Sequence, residues 1–164
     1  MLPGNYLNKD TDASTTYNEK TNTIHFKVVA PIVGKQRPRF NRYTGRTYTP
    51  SKTHNYESAV KAAYITKYPV GQWVLNREQP ISIAMDIHFK MPDSWSRKKK
   101  ERMTGKLCNK KPDIDNIIKS VTDALNGVAY PDDSQICEIR TVRKVWDTTE
   151  YISVCMTEIK DEEL

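Results

Sequence analysis

The chain has 164 residues, 37% of them hydrophobic and 28% charged, and a formal net charge of +6. That length suits one domain around one core, and the composition is that of a soluble globular protein. Its three cysteines, Cys108, Cys137 and Cys155, are odd in number and lack zinc or redox spacing, so they read as reduced cytoplasmic thiols, and no apolar run has signal or membrane-spanning length.

In chain order, residues 1–21 are polar and aperiodic, and are expected to form a flexible arm before a single domain over 22–160. "TIHFKVVA" (23–30) has the β-branched and aromatic content of a first strand. A long loop follows, carrying Lys35, Arg37, Arg39, Arg42, Arg46 and Lys52 and no carboxylate. Pro50–Ser51 marks a helix start, and residues 55–68 repeat apolar side chains at Ala59, Ala63 and Tyr64, with Tyr56 and Val60 nearby. "ISIAMDIHF" (81–89) alternates cleanly and is the clearest strand. Residues 91–112 form a second basic connection, with Arg97, Lys98, Lys99, Lys110 and Lys111 among its cations.

Ile114, Ile117, Ile118, Val121 and Leu125 share one helical stripe, and Gly127 offers a stop. "AYPDDS" turns the chain, and residues 135–146 and 150–159 read as two strands joined in a hairpin, without an Asn-Gly turn to strengthen that pairing. The order β-α-β-α-β-β predicts an α+β fold, a small mixed sheet with packed helices.

"KKPDIDNIIKS" (110–120) carries the chemistry. Its plain reading is a capped helix start, with Asp113 or Asp115 at the N-cap and Lys119 paired to Asp115 one turn on. The same spacing also suits a hard divalent cation. Asp113 and Asp115 would offer oxygen ligands, and Lys119 would face a phosphate. Asp132 and Asp133 begin at the far end of that helix, so one would have to return along the following strand. Asp is also simply a good turn residue.

Context separates these readings. Residues 97–111 hold eight Lys or Arg and one Glu, and both dense basic runs flank the acidic cluster. Cations on connections position a phosphate backbone, and Tyr43, Tyr48 and Trp95 among them would either stack on bases or pack onto the body. Carboxylates for a metal beside cations for a polyanion describe a nuclease. A non-catalytic nucleic-acid-binding domain is one alternative, and a globular protein of other function, whose Asp residues merely cap and turn, is another.

The stretch "KPDIDNIIKSVTDALNGVAYPDDSQICEI" resembles the signature of the RusA-type Holliday-junction resolvases, and "GKQRPRF" with "YTPSKT" is similar to the first basic loop of phage-type members. The likeness runs over about residues 24–158. It implies a homodimeric endodeoxyribonuclease that resolves four-way junctions in branched DNA by paired symmetric nicks. It also implies dependence on Mg²⁺, with Mn²⁺ as a substitute. The residues matching the family's essential positions are Asp113, Asp115, Asp133 and Lys119, with Asp132 as an acidic neighbour of the metal set. Arg37, Arg39, Arg42, Arg46 and Lys35 on one connection, and Arg97, Lys98, Lys99, Lys110 and Lys111 on the other, are expected to bind the nucleic acid. The connection 91–111 is longer than in compact members, and its extra basic residues are expected to alter substrate grip or preference.

Overall fold

A computed structural model describes residues 22–69, 75 and 78–159. The expected N-terminal arm lies outside the described residues. The sheet is built around β4 (Ile81–Lys90), whose Ile81, Ile83, Met85, Ile87 and Phe89 all face one buried layer. The opposite side of β4 also holds buried Ser82 and Asp86, so this strand belongs at the centre. β6 (Tyr151–Glu158) pairs antiparallel with β4 and with β1 (Thr23–Val28). β5 (Ile136–Asp147) pairs parallel with β4, giving the order β1-β6-β4-β5.

That order overturns the expected terminal hairpin. β5 and β6 are consecutive and antiparallel, but β4 lies between them. The physical reason is burial. β4 is apolar enough to need neighbours on both edges, whereas residues 137–141 of β5 are all exposed and tolerate the sheet edge.

Helices cover one face. α1 (Ser51–Lys67) buries Thr53, Tyr56, Val60 and Tyr64, spaced three or four residues apart along one side. Tyr56, Val60 and Tyr64 of the expected stripe are buried, while Ala59 and Ala63 lie only half-buried beside it, and Tyr64 meets Phe26 of β1 edge-on at 5.6 Å. α3 (Ile114–Leu125) buries Ile117, Val121 and Leu125, and packs on α1. Burying each such side chain contributes about 1.5–3 kcal/mol relative to exposure. Gly127, at φ +72°, adopts a left-handed conformation that lets the chain turn after α3.

Both basic connections are more structured than their composition suggested. The first carries a two-stranded ribbon, β2 (Arg39–Asn41) with β3 (Arg46–Tyr48), too short to leave a periodic trace in sequence. The second contains α2 (Arg97–Met103), N-capped by Ser96, with no buried residue. After it, residues 105–108 run along the end of β5. Gly105 N donates to Trp146 O, Trp146 N to Lys106 O, and Cys108 N to Lys144 O, each at 2.8–2.9 Å. Trp95 packs against Trp146 with ring centroids 5.1 Å apart, so of its two expected roles the packing one holds.

Candidate metal and nucleic-acid site

α3 buries its Ile117–Val121–Leu125 side, which leaves the other flank of its first turns at the surface. Asp113, Asp115 and Lys119 are all exposed there. Asp113 occupies the N-cap position with extended backbone, yet its side chain makes no capping hydrogen bond. Among the described residues, the Asp115 carboxylate accepts a hydrogen bond from Asn116 Nδ2 alone, at 3.4 Å. Lys119 forms no ion pair among the described residues, so the i,i+4 pair with Asp115 is absent. The capped-helix explanation therefore leaves both carboxylates and the ammonium unused. Two exposed carboxylates two residues apart at one helix start are the donor type of a hard divalent cation, which commonly takes one or two carboxylates and keeps water or phosphate elsewhere.

Cations and backbone surround this edge. A shallow, open depression of about 430 Å³ is lined by residues 32–36, Lys52, residues 111–113 and Asn116. The 32–36 segment is seated on α3 by Lys35 N, which donates to Asn116 O at 2.8 Å. Gly34 backs onto the helix start so closely that a Cβ there would lie 2.8 Å from Pro112 Cβ. Lys144 Nζ donates to Pro112 O at 2.8 Å, while Glu150 accepts from Ile32 N at 2.8 Å and pairs with Lys110 at 3.6 Å. Sequence reading missed Lys144 and Glu150, and it took Gly34 as a strand breaker and part of the basic-loop motif without foreseeing its packing on the start of α3.

Lys35 is placed differently from the other cations expected to meet DNA. Its Nζ bridges Glu57 Oε1 at 2.6 Å and Asp123 Oδ2 at 2.7 Å, joining the loop to α1 and α3. Burial alone would lower its pKa, but the bonds from Asp123 and Glu57 outweigh this and raise it. Arg37, Arg39, Arg42, Arg46, Lys98 and Lys111 are exposed and form no ion pair among the described residues. Arg97 pairs with Glu101 at 2.9 Å, and Lys99 lies over the Trp95 ring at 4.1 Å.

The second acidic pair lies elsewhere. Asp132 caps the short 3₁₀ turn Asp133–Gln135, accepting from Ser134 N at 2.8 Å, and bonds from Ser134 hold its carboxyl below the ordinary range. Tyr130 donates to Thr122 O at 2.6 Å, and burial raises its phenol pKa, helped by the charges of Asp133 and Asp123. Asp133 thus keeps company with the C-terminal half of α3. β5 does run back along that helix to Lys144 and Pro112, but the aspartates precede the strand and stay at its beginning. Among the described residues, no three Asp, Glu, His or Cys side chains gather where they could hold a metal ion.

The Endodeoxyribonuclease RusA family model matches residues 30–157. The chain belongs to this family. The RusA match includes the ribbon, all three helices and both acidic pairs. The chain is also similar to the uncharacterized protein YqaN of Bacillus subtilis (strain 168), at 30% identity over 142 residues. That alignment covers 83% of this chain and 96% of the relative. Family membership implies nuclease activity in general, and the small mixed α+β domain is the fold expected of it. No helix among the described residues is long and apolar enough to cross a membrane.

Proposed function

We propose that the chain is a Mg²⁺-dependent endodeoxyribonuclease that resolves four-way DNA junctions by paired nicks, acting as a homodimer. The observation that supports this most lies at the start of α3, where two exposed carboxylates and a lysine form no ion pair among the described residues and stand beside a cation-lined depression. Asp113 and Asp115 hold the cation, and Lys119, one turn along the same flank, neutralises a non-bridging phosphate oxygen. When bound, Mg²⁺ supplies Lewis acidity and a water of lowered pKa. Lys52 and Lys111 on the rim, with the arginines of residues 37–46, hold the flanking phosphates.

Asp133 completes the acidic set in this reading from a second copy of the chain, because its own Asp113 and Asp115 lie at the other end of α3. That helix of 12 residues is about 18 Å long. That no three carboxylates gather among the described residues is also the observation that favours the second reading, a branched-DNA-binding protein that does not cut. Incubation with a synthetic four-way junction, a flap and a linear duplex, each with Mg²⁺ and with EDTA, separates them. The first reading expects symmetric nicks in the junction with Mg²⁺ only. Tight junction binding without cleavage supports the second.

A further inference from the structure

The β2–β3 ribbon stands apart from the core in both contacts and composition. Every residue from 36 to 49 except Asn41 is exposed, including Phe40 at 63%, Tyr48 at 49% and Tyr43 fully. Such a concentration of bare aromatics on one short element is costly in water unless something covers it. The ribbon is nevertheless well formed. Asn41 Oδ1 accepts from Tyr43 N at 2.9 Å and Thr44 N at 3.3 Å, Gly45 N donates to Asn41 O at 2.9 Å, and Gly45 takes a left-handed φ of +64°.

The pairing sorts its side chains. Arg39 opposes Tyr48 and Asn41 opposes Arg46, so these four share one face. Phe40 opposes Thr47 on the other face, and Tyr43 sits at the tip. Arg39, Arg42 and Arg46 form no ion pair among the described residues. One face thus carries Arg39 and Arg46 with Tyr48 between cations, the other carries Phe40, and Tyr43 stands at the tip beside Arg42. A two-stranded ribbon has the width of a DNA groove. Its cations match phosphates, but a stacked duplex presents no base faces to its aromatics. A branch point does, because the base pairs at a crossover lose stacking partners.

We propose that this ribbon is the branch-point probe of the protein, with Arg39 and Arg46 gripping phosphates and Phe40 and Tyr43 stacking on bases exposed at the crossover. The proposal rests on the branched-DNA reading above and names the element that distinguishes branch from duplex. Cations bind both forms, so selectivity must come from the aromatic side chains.

The test uses the full chain in EDTA, so that no DNA is cut. A four-way junction with 2-aminopurine beside the crossover is compared with a linear duplex of the same sequence. The wild type should bind the junction preferentially and change the 2-aminopurine emission. Phe40→Ala/Tyr43→Ala should weaken junction binding about ten- to a hundred-fold, leave duplex binding within about twofold, and abolish the emission change. Arg39→Gln/Arg46→Gln should weaken both complexes and flatten their salt dependence. All four side chains are exposed, so the variants should keep the wild-type circular dichroism. Equal loss on both DNAs, or no loss, from the aromatic variant overturns the proposal while leaving the branched-DNA reading in place. So does conversion of a dimer to a monomer by that variant in sedimentation, since a second copy would then cover the ribbon. A wild type that binds junction and duplex alike overturns both.

Discussion

Lys35 Nζ lies 2.7 Å from Asp123 Oδ2, and this contact ties the loop beside the candidate site to the helix that carries the site. With Glu57 at 2.6 Å on the same ammonium, one cation serves two carboxylates from α1 and α3. Lys35→Met removes the bridge and leaves two partly buried anions facing each other. Hydrogen bonds to charged groups contribute about 1.5–3 kcal/mol, so the variant should lose about that much stability in urea titration. Unfolding at the wild-type midpoint would show the bridge to be structurally idle.

Gly34 tests the same docking from the packing side. A methyl group there meets Pro112 Cβ at 2.8 Å and Asn116 Cβ at 3.0 Å, contacts that ordinary Cβ atoms do not make. Gly34→Ala should push the 32–36 segment off the start of α3 and destabilise the fold by about 1–3 kcal/mol, read as a lower melting temperature. A variant as stable as wild type would mean the segment is free to move.

Lys119 should separate stability from chemistry. It is exposed and unpaired among the described residues, so Lys119→Ala should unfold within about 0.5 kcal/mol of wild type. Junction cleavage should nonetheless fall by at least tenfold, because a charge aimed at the phosphate is gone. Equal cleavage rates would remove Lys119 from the reaction.

Much of this arrangement was legible in the residues, for physical reasons that also explain the rest. The stripe Ile117, Val121, Leu125 fixed α3 and which of its sides turns outward, because apolar spacing records burial directly. The alternation in β4 did the same for the central strand. Strand pairing left no such record. Nothing in residues 147–151 says whether β5 turns back onto β6 or leaves room for β4, and only the burial of β4 on both faces decides it. The ribbon was hidden because three-residue strands have no period to read. At the site, sequence placed Asp113, Asp115 and Lys119 together because they share one short segment. The position of Asp133 depended on tertiary geometry, and so did the capture of Lys35 by Asp123.

Folding should also respond to pH through His25. Burial, with help from the charge of Lys67, holds its pKa below the ordinary 6.5. Above about pH 6.5 the imidazole is neutral in folded and unfolded chains alike and contributes no pH dependence. Below that, the unfolded chain takes up the proton first, so stability should fall with pH until the folded pKa is passed. Urea titrations from pH 8 to pH 5 should show this decline, and His25→Gln should flatten it. An equal slope in the variant would assign the decline to another group.

A mixing experiment addresses the separated carboxylates. If Asp133 acts from a second copy, Asp115→Asn and Asp133→Asn proteins, each inactive alone, should regain cleavage when refolded together, because half of the composite sites in a mixed dimer are intact. No recovery from two inactive variants would place Asp133 at the site of its own chain.

The central claim is that Asp113 and Asp115 hold the cation for phosphodiester hydrolysis, and the most direct measurement is junction cleavage by Asp115→Asn in Mg²⁺. This substitution keeps size and shape while removing a ligand charge from an exposed residue in the first turn of α3. Since metal stabilisation is worth several kcal/mol, the account predicts at least about a hundredfold loss of rate with junction binding retained. Cleavage at the wild-type rate would contradict it.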